Sequence, residues 1–274
     1  MNERFGPVID GDAAAALLQP LTELVARAGE AILAVNRAAM ISEDKADGSP
    51  VTEADLAADR VIAEGLARLF PEVQTLSEER SHLAKLPASA SFFLIDPLDG
   101  TKEFIAGRDE FTVNLALVTN GVPLLGIVGA PALGLIWRGV VGHGAVRMET
   151  RDGKIGAAQS IHTRVARPGE PWTAAVSRSH ADARSEAFID SRPGAVRQVA
   201  GSAIKFCRVA EGRADLYPRL APTCEWDVAA GHALVTAAGG KVTDSHGAPL
   251  RFGARPADFI VPEFIAWGDP TMAP

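Results

Sequence analysis

The chain has 274 residues, 47% of them hydrophobic, which is enough for one large domain or two closely packed lobes with a buried core. Its 34 acidic and 27 basic residues give a formal net charge of -7, the wrong sign for a protein that coats a nucleic-acid backbone. Cys207 and Cys224 form no CxxC or Cys/His pattern, so neither a disulfide framework nor a zinc site is expected. The charged N-terminus lacks the apolar segment of a secretory signal, and we expect a cytoplasmic protein.

Two amphipathic helices are predicted at the start of the chain. Each has an apolar stripe, and in the first the apolar residues recur every three or four positions, the period of a helix with one face against a core. The first helix presents Leu17, Leu21, Leu24, Ala28, Ile32 and Val35. The second presents Leu56, Ile62, Leu66 and Leu69. It begins at the capping pair Thr52 and Asp55 and stops at Pro71, and residues 42–50 before it are expected to form a polar loop.

A long uncharged segment follows, and it is better explained by strands than by a membrane helix. Residues 112–137 would be long enough to cross a bilayer, but Asn120-Gly121, Pro123 and Pro131 interrupt them with turn chemistry. We predict a buried strand at 92–95 and antiparallel strands at 111–118, 122–130, 133–141 and 145–149. The first half of the chain is therefore predicted to be α+β.

The second half shows a different pattern. Predicted strands at 173–177, 196–199 and 214–217 alternate with predicted helices at 182–190, 202–211 and 227–238, as in α/β units. Residues 149–159 are polar and lack an apolar period, which favours a lobe boundary there. We therefore divide the chain into an N-terminal α+β lobe, residues 1–154, and a C-terminal α/β lobe, residues 155–274.

Acidic residues lie where predicted elements begin or end. They are Asp55, Glu78 with Glu79, Asp96 with Asp99, and Asp227. In the segment DPLDGT, Pro97 fixes one dihedral angle, so Asp96, Asp99 and the Leu98 carbonyl can face a common point. Oxygen ligands without His or Cys suit Mg²⁺ or Mn²⁺ rather than Zn²⁺. Gly100 allows close backbone approach, and Thr101 can begin a helix whose free amides face a phosphate.

Each acidic cluster also has an ordinary structural explanation. Asp55 can be the capping partner of Thr52, and Asp227 can be an N-cap. Glu78 and Glu79 can be a solvated surface pair, and DPLDG can be a simple turn. The occurrence of all of them in one chain favours a shared metal site.

Two longer stretches carry a family resemblance. They are LIDPLDGTKEFIAGRDEFTVNLALV at 94–118, preceded by SEE, and EWDVAAGHALVTAAGG at 225–240. In order and spacing they resemble the two signatures of the inositol monophosphatase superfamily, and the resemblance covers nearly the whole chain. It implies the sugar phosphatase fold, a layered α-β-α-β-α sandwich of two lobes, and inhibition by lithium.

The resemblance also implies a metal site and a reaction. Two or three Mg²⁺ ions, with Mn²⁺ as a substitute, would be bound by Glu78, Asp96, the Leu98 carbonyl, Asp99 and Asp227. Asp96 is the candidate for a bridging ligand. Asp55 and Thr101 would position and deprotonate the attacking water, and Glu78 would join them as a catalytic residue. The expected reaction is direct in-line transfer to water without a phosphoenzyme, since cations must neutralise an anionic ester before water can attack it.

Further motifs resemble one branch, the 3'(2'),5'-bisphosphate nucleotidases, which implies hydrolysis of adenosine 3',5'-bisphosphate to AMP. These motifs are TKEF at 101–104, EFTVNLAL at 110–117, SRSH at 177–180, GSAIKF at 201–206 and ADLYPR at 214–219. The implied substrate contacts are Gly100, Thr101, Lys102, His180, Ser202, Lys205, Arg219 and Asp227. A second phosphate needs a second cationic pocket, which Lys205 and Arg219 could supply. Ala203 departs from the second serine expected in this branch.

Several alternatives stay open at this point. Lys205 could extend into solvent, Arg219 could pair with an acid, and His180 could be a surface residue. The same chemistry could act on inositol-1-phosphate or another sugar phosphate. A non-catalytic regulatory protein that binds Mg²⁺ and nucleotide is the alternative from another class, although an intact Asp55 and Thr101 argue against it. The sequence has no basic stripe with interleaved aromatic residues, so a nucleic-acid polymer is not expected as a partner. The sequence is compatible with a monomer or a homodimer, and with peripheral association with the inner membrane.

Overall fold

The computed structural model describes residues 7–36, 42–44, 50–83, 90–151, 153–167, 169–179, 181–253 and 259–274. The helices in this part of the chain are α1 (Gly11–Ala34), α2 (Glu53–Leu69), α3 (Thr101–Ile105), α4 (Ala183–Asp190), α5 (Ile204–Ala210) and α6 (Glu225–Ala237). Short 3-10 turns lie at Glu78–Leu83, Pro131–Leu133 and Pro270–Met272. Among these described helices, none has the length and apolarity that crossing a membrane requires.

Most strands belong to two large sheets. A short antiparallel pair comes first, β1 (Ser42–Asp44) with β2 (Pro50–Thr52). The first large sheet contains β3 (Gln74–Ser77), β4 (Ser91–Asp99), β5 (Thr112–Thr119), β6 (Val122–Ala130), β7 (Leu135–Val140), β8 (Gly144–Arg151), β9 (Lys154–Ile155) and β10 (Gln159–Ile161). Its order is β10-β8-β7-β6-β5-β4-β3, with β9 paired to β8. The first pair, β3 and β4, is parallel, and the rest are antiparallel.

The remaining strands are β11 (Thr173–Ser177), β12 (Val196–Ala200), β13 (Leu216–Arg219), β14 (Thr223–Cys224), β15 (Lys241–Thr243), β16 (Ile260–Val261) and β17 (Phe264–Trp267). The second large sheet has the order β12-β11-β13-β17-β15, while β14 pairs with β16. Strand β11 is parallel to β12 and β13, as the predicted α/β pattern requires, and β17 is antiparallel to its neighbours. Strands β14 to β17 were not predicted from the sequence, because they span only two to four residues each.

Alternating residues of β4 reveal the layers. Phe93 and Ile95 share a core with α1 and α2, whereas Phe92 and Leu94 share a core with residues of α5 and α6. Helices α5 and α6 in turn contact the second sheet, and α4 packs against β13 of that sheet. The predicted layered α-β-α-β-α sandwich is confirmed.

The hairpin between β5 and β6 explains the uncharged segment. Asn120 and Gly121 have φ angles of 52° and 74°, the left-handed values that a tight two-residue hairpin favours. Both strands are buried almost throughout because helices cover both faces of the sheet. The prediction of strands instead of a membrane span is confirmed.

Two local predictions were wrong. Leu56 and Leu69 of α2 are 50% and 39% exposed, because small residues form much of the buried face of this helix. At Gly65 a β-carbon would overlap with the Leu24 side chain of α1, so the two helices pack too closely for a larger residue. The predicted loop at 42–50 instead contains β1 and the start of β2, with residues 45–49 outside the described part of the chain.

The segment predicted as a lobe boundary contributes to the first sheet. Strands β9 and β10 both pair with β8, so this sheet reaches Ile161. The division into residues 1–154 and 155–274 therefore stays a proposal about how the chain is organised.

Candidate active site

The acidic segment at the end of β4 is shaped by a bulge. Asp96 pairs with Asn114 and Asp99 with Thr112, so two residues of β4 stand opposite one residue of β5. Bulges of this kind bend a strand and redirect its side chains. Inside the bulge, the amide of Leu98 donates to Asp96 Oδ1 at 3.1 Å. The strand was predicted to stop at Ile95, and its continuation to Asp99 ties the acidic turn firmly to the sheet.

Three carboxylates converge beside this bulge. Glu78, Asp96 and Asp227 each offer one oxygen, and these oxygens lie within 4.8 Å of one another. Glu78 follows β3, which runs parallel to β4 with Ser77 opposite Ile95. The sheet therefore places Glu78 beside Asp96 although 18 residues separate them in sequence.

Asp227 reaches the cluster from the first turn of α6. It accepts hydrogen bonds from the Thr223 hydroxyl and from the Cys224 amide, the latter at 3.1 Å. The helix begins at Glu225, so Asp227 is its third residue. The alternative explanation of Asp227 as an N-cap is therefore wrong. Its position fixes the carboxylate at the helix N-terminus and directs it toward Asp96.

Asp99 is not in this group of three but faces the same cavity. Its Oδ2 accepts from Asn114 Nδ2 at 3.2 Å and lies 3.5 Å from Thr112 Oγ1, both on β5. Burial and the charge of Asp227 raise the pKa of Asp99 to about 6, and Lys205 opposes that shift.

Burial and, after it, like charges raise the pKa values of the cluster. Burial, followed by the charges of Glu78 and Asp99, raises the pKa of Asp96 well above its usual value. Burial and Glu78 also raise the pKa of Asp227. Buried carboxylates that repel one another are stabilised by a cation among them, and an all-oxygen donor set fits Mg²⁺ or Mn²⁺. The residues present therefore suit the predicted kind of metal.

The raised pKa of Asp99 predicts that the stability of the metal-free protein depends on pH. The pKa of Asp99 is about 6 in the folded protein against a usual value of 3.8. The stability that this group contributes is therefore complete below 3.8 and lost as the pH rises to about 6, because the folded state holds the proton longer. We expect the increase in Tm caused by millimolar Mg²⁺ over EDTA to grow across this range. The measurement is thermal unfolding, and the absence of any Mg²⁺ effect at every pH would contradict the prediction.

Asp55 and Thr101 form a pair beside the cluster. Thr101 Oγ1 lies 3.0 Å from Asp55 Oδ1 and 3.2 Å from the Leu98 carbonyl oxygen. The other oxygen of Asp55 accepts from the amide and hydroxyl of Thr52, at 2.8 and 2.6 Å. The capping explanation of Asp55 is therefore right for one oxygen, while the second oxygen contacts Thr101.

A cavity of about 220 Å³ joins these groups to the predicted substrate contacts. The predicted residues that line it are Glu78, Asp96, Leu98, Asp99, Gly100, Thr101, Lys102, Ser202, Lys205, Arg219 and Asp227. His180 lies outside the described residues. Asp55 is not on the cavity wall but reaches it through Thr101.

Gly100 and Ser202 meet at the floor of this cavity. Gly100 has a φ of 95°, and a β-carbon there would overlap with the Ser202 hydroxyl. Ser202 itself has a φ of 50°, unusual for a residue with a side chain. Its hydroxyl lies 2.8 Å from the Asp99 carbonyl and 2.9 Å from the Glu110 carbonyl. The hydroxyl of Ser202 thus ties the segment between β12 and α5 to the end of β4.

Lys205 is buried, so the alternative in which it extends into solvent is wrong. Its side chain is 3% exposed, and Nζ donates to the Ser202 carbonyl at 2.6 Å. The ammonium also lies 5.2 Å from the centre of the Tyr217 ring. Burial lowers its pKa to about 8, partly countered by Asp99. Arg219 donates to the Pro222 carbonyl at 3.3 Å and lines the same cavity.

The sequence did not indicate the contacts that hold Glu103 and Gly201, which also line the cavity. The Ser179 hydroxyl donates to Glu103, and Arg178 pairs with Glu110 at 2.8 Å. Glu110 also accepts from the Gly201 amide at 3.1 Å. Glu110 and Arg178 are 68 residues apart, so no local pattern could have predicted their contact.

Comparisons with known proteins agree with this geometry. Residues 14–266 match the inositol monophosphatase family. The chain belongs to this family. Among its curated members, the 3'(2'),5'-bisphosphate nucleotidase CysQ of Escherichia coli K12 is 41% identical over 257 residues, which cover 90% of this chain and 98% of that protein.

Solved structures of the family share the fold. CysQ of Bacteroides thetaiotaomicron, described as a bacterial member of the inositol monophosphatase family, aligns with a TM-score of 0.73 and 33% identity over 94% of this chain and 97% of that one. An inositol monophosphatase from Zymomonas mobilis aligns with a TM-score of 0.75 and 28% identity over 95% and 96%. Both similarities span nearly the whole chain, as the sequence signatures implied.

Proposed function

We propose that this protein is a divalent-cation-dependent phosphatase that hydrolyses adenosine 3',5'-bisphosphate to AMP and phosphate. The observation that carries the proposal is that one cavity is lined both by the acidic cluster and by Lys205 with Arg219. The name of the Escherichia coli relative, a 3'(2'),5'-bisphosphate nucleotidase, supports this choice of substrate.

The acidic cluster would hold the metal, which we propose to be Mg²⁺. Its ligands would be the side chains of Glu78, Asp96, Asp99 and Asp227 and the carbonyl of Leu98. Bound Mg²⁺ supplies neutralisation of the phosphate oxygens and a lowered pKa for water. Most of these ligands come from the proposed first lobe, residues 1–154, and Asp227 comes from the proposed second lobe. The substrate would therefore bind between the two lobes.

Asp55 and Thr101 would accept the proton of the attacking water. The Thr101 hydroxyl donates to Asp55, so its lone pair is available to accept a hydrogen bond from a water molecule. As the water attacks phosphorus, its proton can pass to Thr101 while the Thr101 proton passes to Asp55. Glu78, beside this pair, would help to orient the same water.

The second phosphate would bind to Lys205 and Arg219. A buried ammonium is desolvated in the free protein and gains strongly from a charge-assisted hydrogen bond to phosphate. The sugar-phosphate alternative has no second anion to use this group. Gly100, Lys102 and Ser202 would complete the contacts, with Asp227 close to the reacting phosphate.

A phosphate-release assay tests the proposal. We expect adenosine 3',5'-bisphosphate to be hydrolysed with a kcat/KM at least about tenfold above that for inositol-1-phosphate, with AMP as product, since one added charge-assisted contact contributes about 1.5 to 3 kcal/mol. Chelation of divalent cations should stop the reaction. A preference for inositol-1-phosphate would favour the sugar-phosphate alternative, and release from neither compound would favour a regulatory protein.

A further inference from the structure

The turn that carries Glu78 needs support that the sheet alone does not provide. Glu78 follows directly after β3, which is at the edge of the first sheet and has β4 as its neighbour on one side. The backbone then enters a 3-10 turn, Glu78–Leu83. Backbone pairing therefore fixes Ser77 but does not by itself fix the direction of the next side chain.

Asp59 of α2 contacts this turn through two of its neighbouring residues. Its Oδ1 accepts from the Ser77 hydroxyl at 2.6 Å and from Arg80 Nη2 at 3.2 Å. Arg80 Nε lies 3.1 Å from Oδ2, an ion-pair distance without the alignment of a hydrogen bond. One carboxylate, with its side chain only 12% exposed, thus binds the residue before Glu78 and the residue two positions after it.

The same helix also holds the other side of the site. Asp55 lies one turn before Asp59, so both side chains project from the same face of α2. Asp55 contacts Thr101, which follows the Asp96–Asp99 turn, while Asp59 contacts the Glu78 turn. Helix α2 therefore connects two segments that both contribute to the acidic cluster.

We propose that Asp59 is a positioning residue for Glu78: by holding Ser77 and Arg80 it keeps the Glu78 carboxylate directed at Asp96 and Asp227. The inference rests on the metal site of the proposed function. Groups that orient a metal ligand without touching the metal commonly change metal affinity about 10- to 100-fold when they are removed. Arg80 balances the charge of Asp59, so the turn is fixed without a further net negative charge near the cluster.

The chain offers a closely matched control for this idea. Asp215 pairs with Arg164, and their side chains are 11% and 39% exposed, against 12% and 40% for Asp59 and Arg80. Asp215 also accepts from the Thr173 amide at 2.6 Å, so it too fastens a neighbouring strand. It does not line the cavity. Asp59→Asn and Asp215→Asn should therefore cost similar stability, but only the first should affect the metal.

The experiment measures binding of Mn²⁺ alone, by the electron paramagnetic resonance signal of the free ion, to the complete protein without substrate. We expect Asp59→Asn to weaken Mn²⁺ binding about tenfold or more, and Asp215→Asn to leave it unchanged. Arg80→Gln should weaken binding in the same direction, and its combination with Asp59→Asn should be less than additive. With saturating Mn²⁺, the phosphatase activity of Asp59→Asn should recover most of the wild-type kcat.

The possible outcomes distinguish failure of the metal site from failure of the positioning role of Asp59. If wild-type protein binds no Mn²⁺, the metal site itself is wrong. If wild-type protein binds Mn²⁺ and Asp59→Asn binds it equally well, the site stands and the positioning role of Asp59 is refuted. Equal weakening by Asp59→Asn and Asp215→Asn would also refute it, because the effect would then follow general stability.

Discussion

Replacement of Asp96 by Asn is expected to abolish turnover while leaving the fold intact. Asp96 lies at the centre of the acidic cluster, with Glu78 and Asp227 oxygens within 4.8 Å. Its loss would remove one of the carboxylates that we propose to hold the cations. A loss of about 4 kcal/mol of transition-state stabilisation would lower the rate about 10³-fold. Phosphate release from adenosine 3',5'-bisphosphate is the measurement.

The stability of this variant provides the control. Burial and the neighbouring charges raise the pKa of Asp96, so its ionised form destabilises the metal-free protein. We expect Asp96→Asn to have a metal-free Tm equal to or above that of the wild type, and a smaller increase in Tm on addition of Mg²⁺. Activity near the wild-type level would contradict the assignment, whereas an unfolded variant would contradict the electrostatic argument.

Replacement of Lys205 by Met is expected to impair hydrolysis of the bisphosphate but not of a substrate with a single phosphate. Met keeps the apolar part of the side chain but cannot contact an anion. Truncating one partner of a buried, hydrogen-bonded charge pair costs about 2 to 5 kcal/mol, so kcat/KM for adenosine 3',5'-bisphosphate should fall about 30-fold or more. The kcat/KM for inositol-1-phosphate should change little, because that substrate has a single phosphate. Parallel assays with both substrates are the measurement.

The pH profile gives an independent check on Lys205. Its pKa is lowered to about 8, so it loses its charge above that pH in the free protein. The KM for the bisphosphate should therefore rise above pH 8 in the wild type, and this rise should be absent from Lys205→Met. Lys154→Met, which removes an exposed charge from β9, is the control for net charge. Equal losses with both substrates would contradict a role in binding the second phosphate.

The sequence predicted those parts of the site that depend on neighbouring residues. Thr52 and Asp55 do form a capping box, and Asn120-Gly121 does close a hairpin, since both depend on contacts within a few positions. The DPLDGT turn also faces the cavity as predicted, because Pro97 and Gly100 restrict or allow particular backbone angles. Motif resemblance added the correct family and the layered fold.

Contacts between distant segments could not be predicted in this way. The burial of Lys205 depends on Tyr217 and on the approach of Ser202 to Gly100, which only the packing of the two sheets determines. Likewise, Asp59 and Arg80 are 21 residues apart, and each is an ordinary surface residue by pattern alone. The buried face of α2 was predicted wrongly because the prediction followed large apolar residues. Where two helices pack closely, side chains of small volume are favoured over hydrophobic ones.

We propose that carboxylates from three separate segments bind divalent cations at the place where a phosphate ester is cleaved. The most direct test is a crystal structure of the protein soaked with Mn²⁺, recorded so that the anomalous scattering of manganese can be located. We expect an anomalous peak among Glu78, Asp96 and Asp227. A crystal in which Mn²⁺ is absent from these three residues, or binds only elsewhere on the protein, would contradict it.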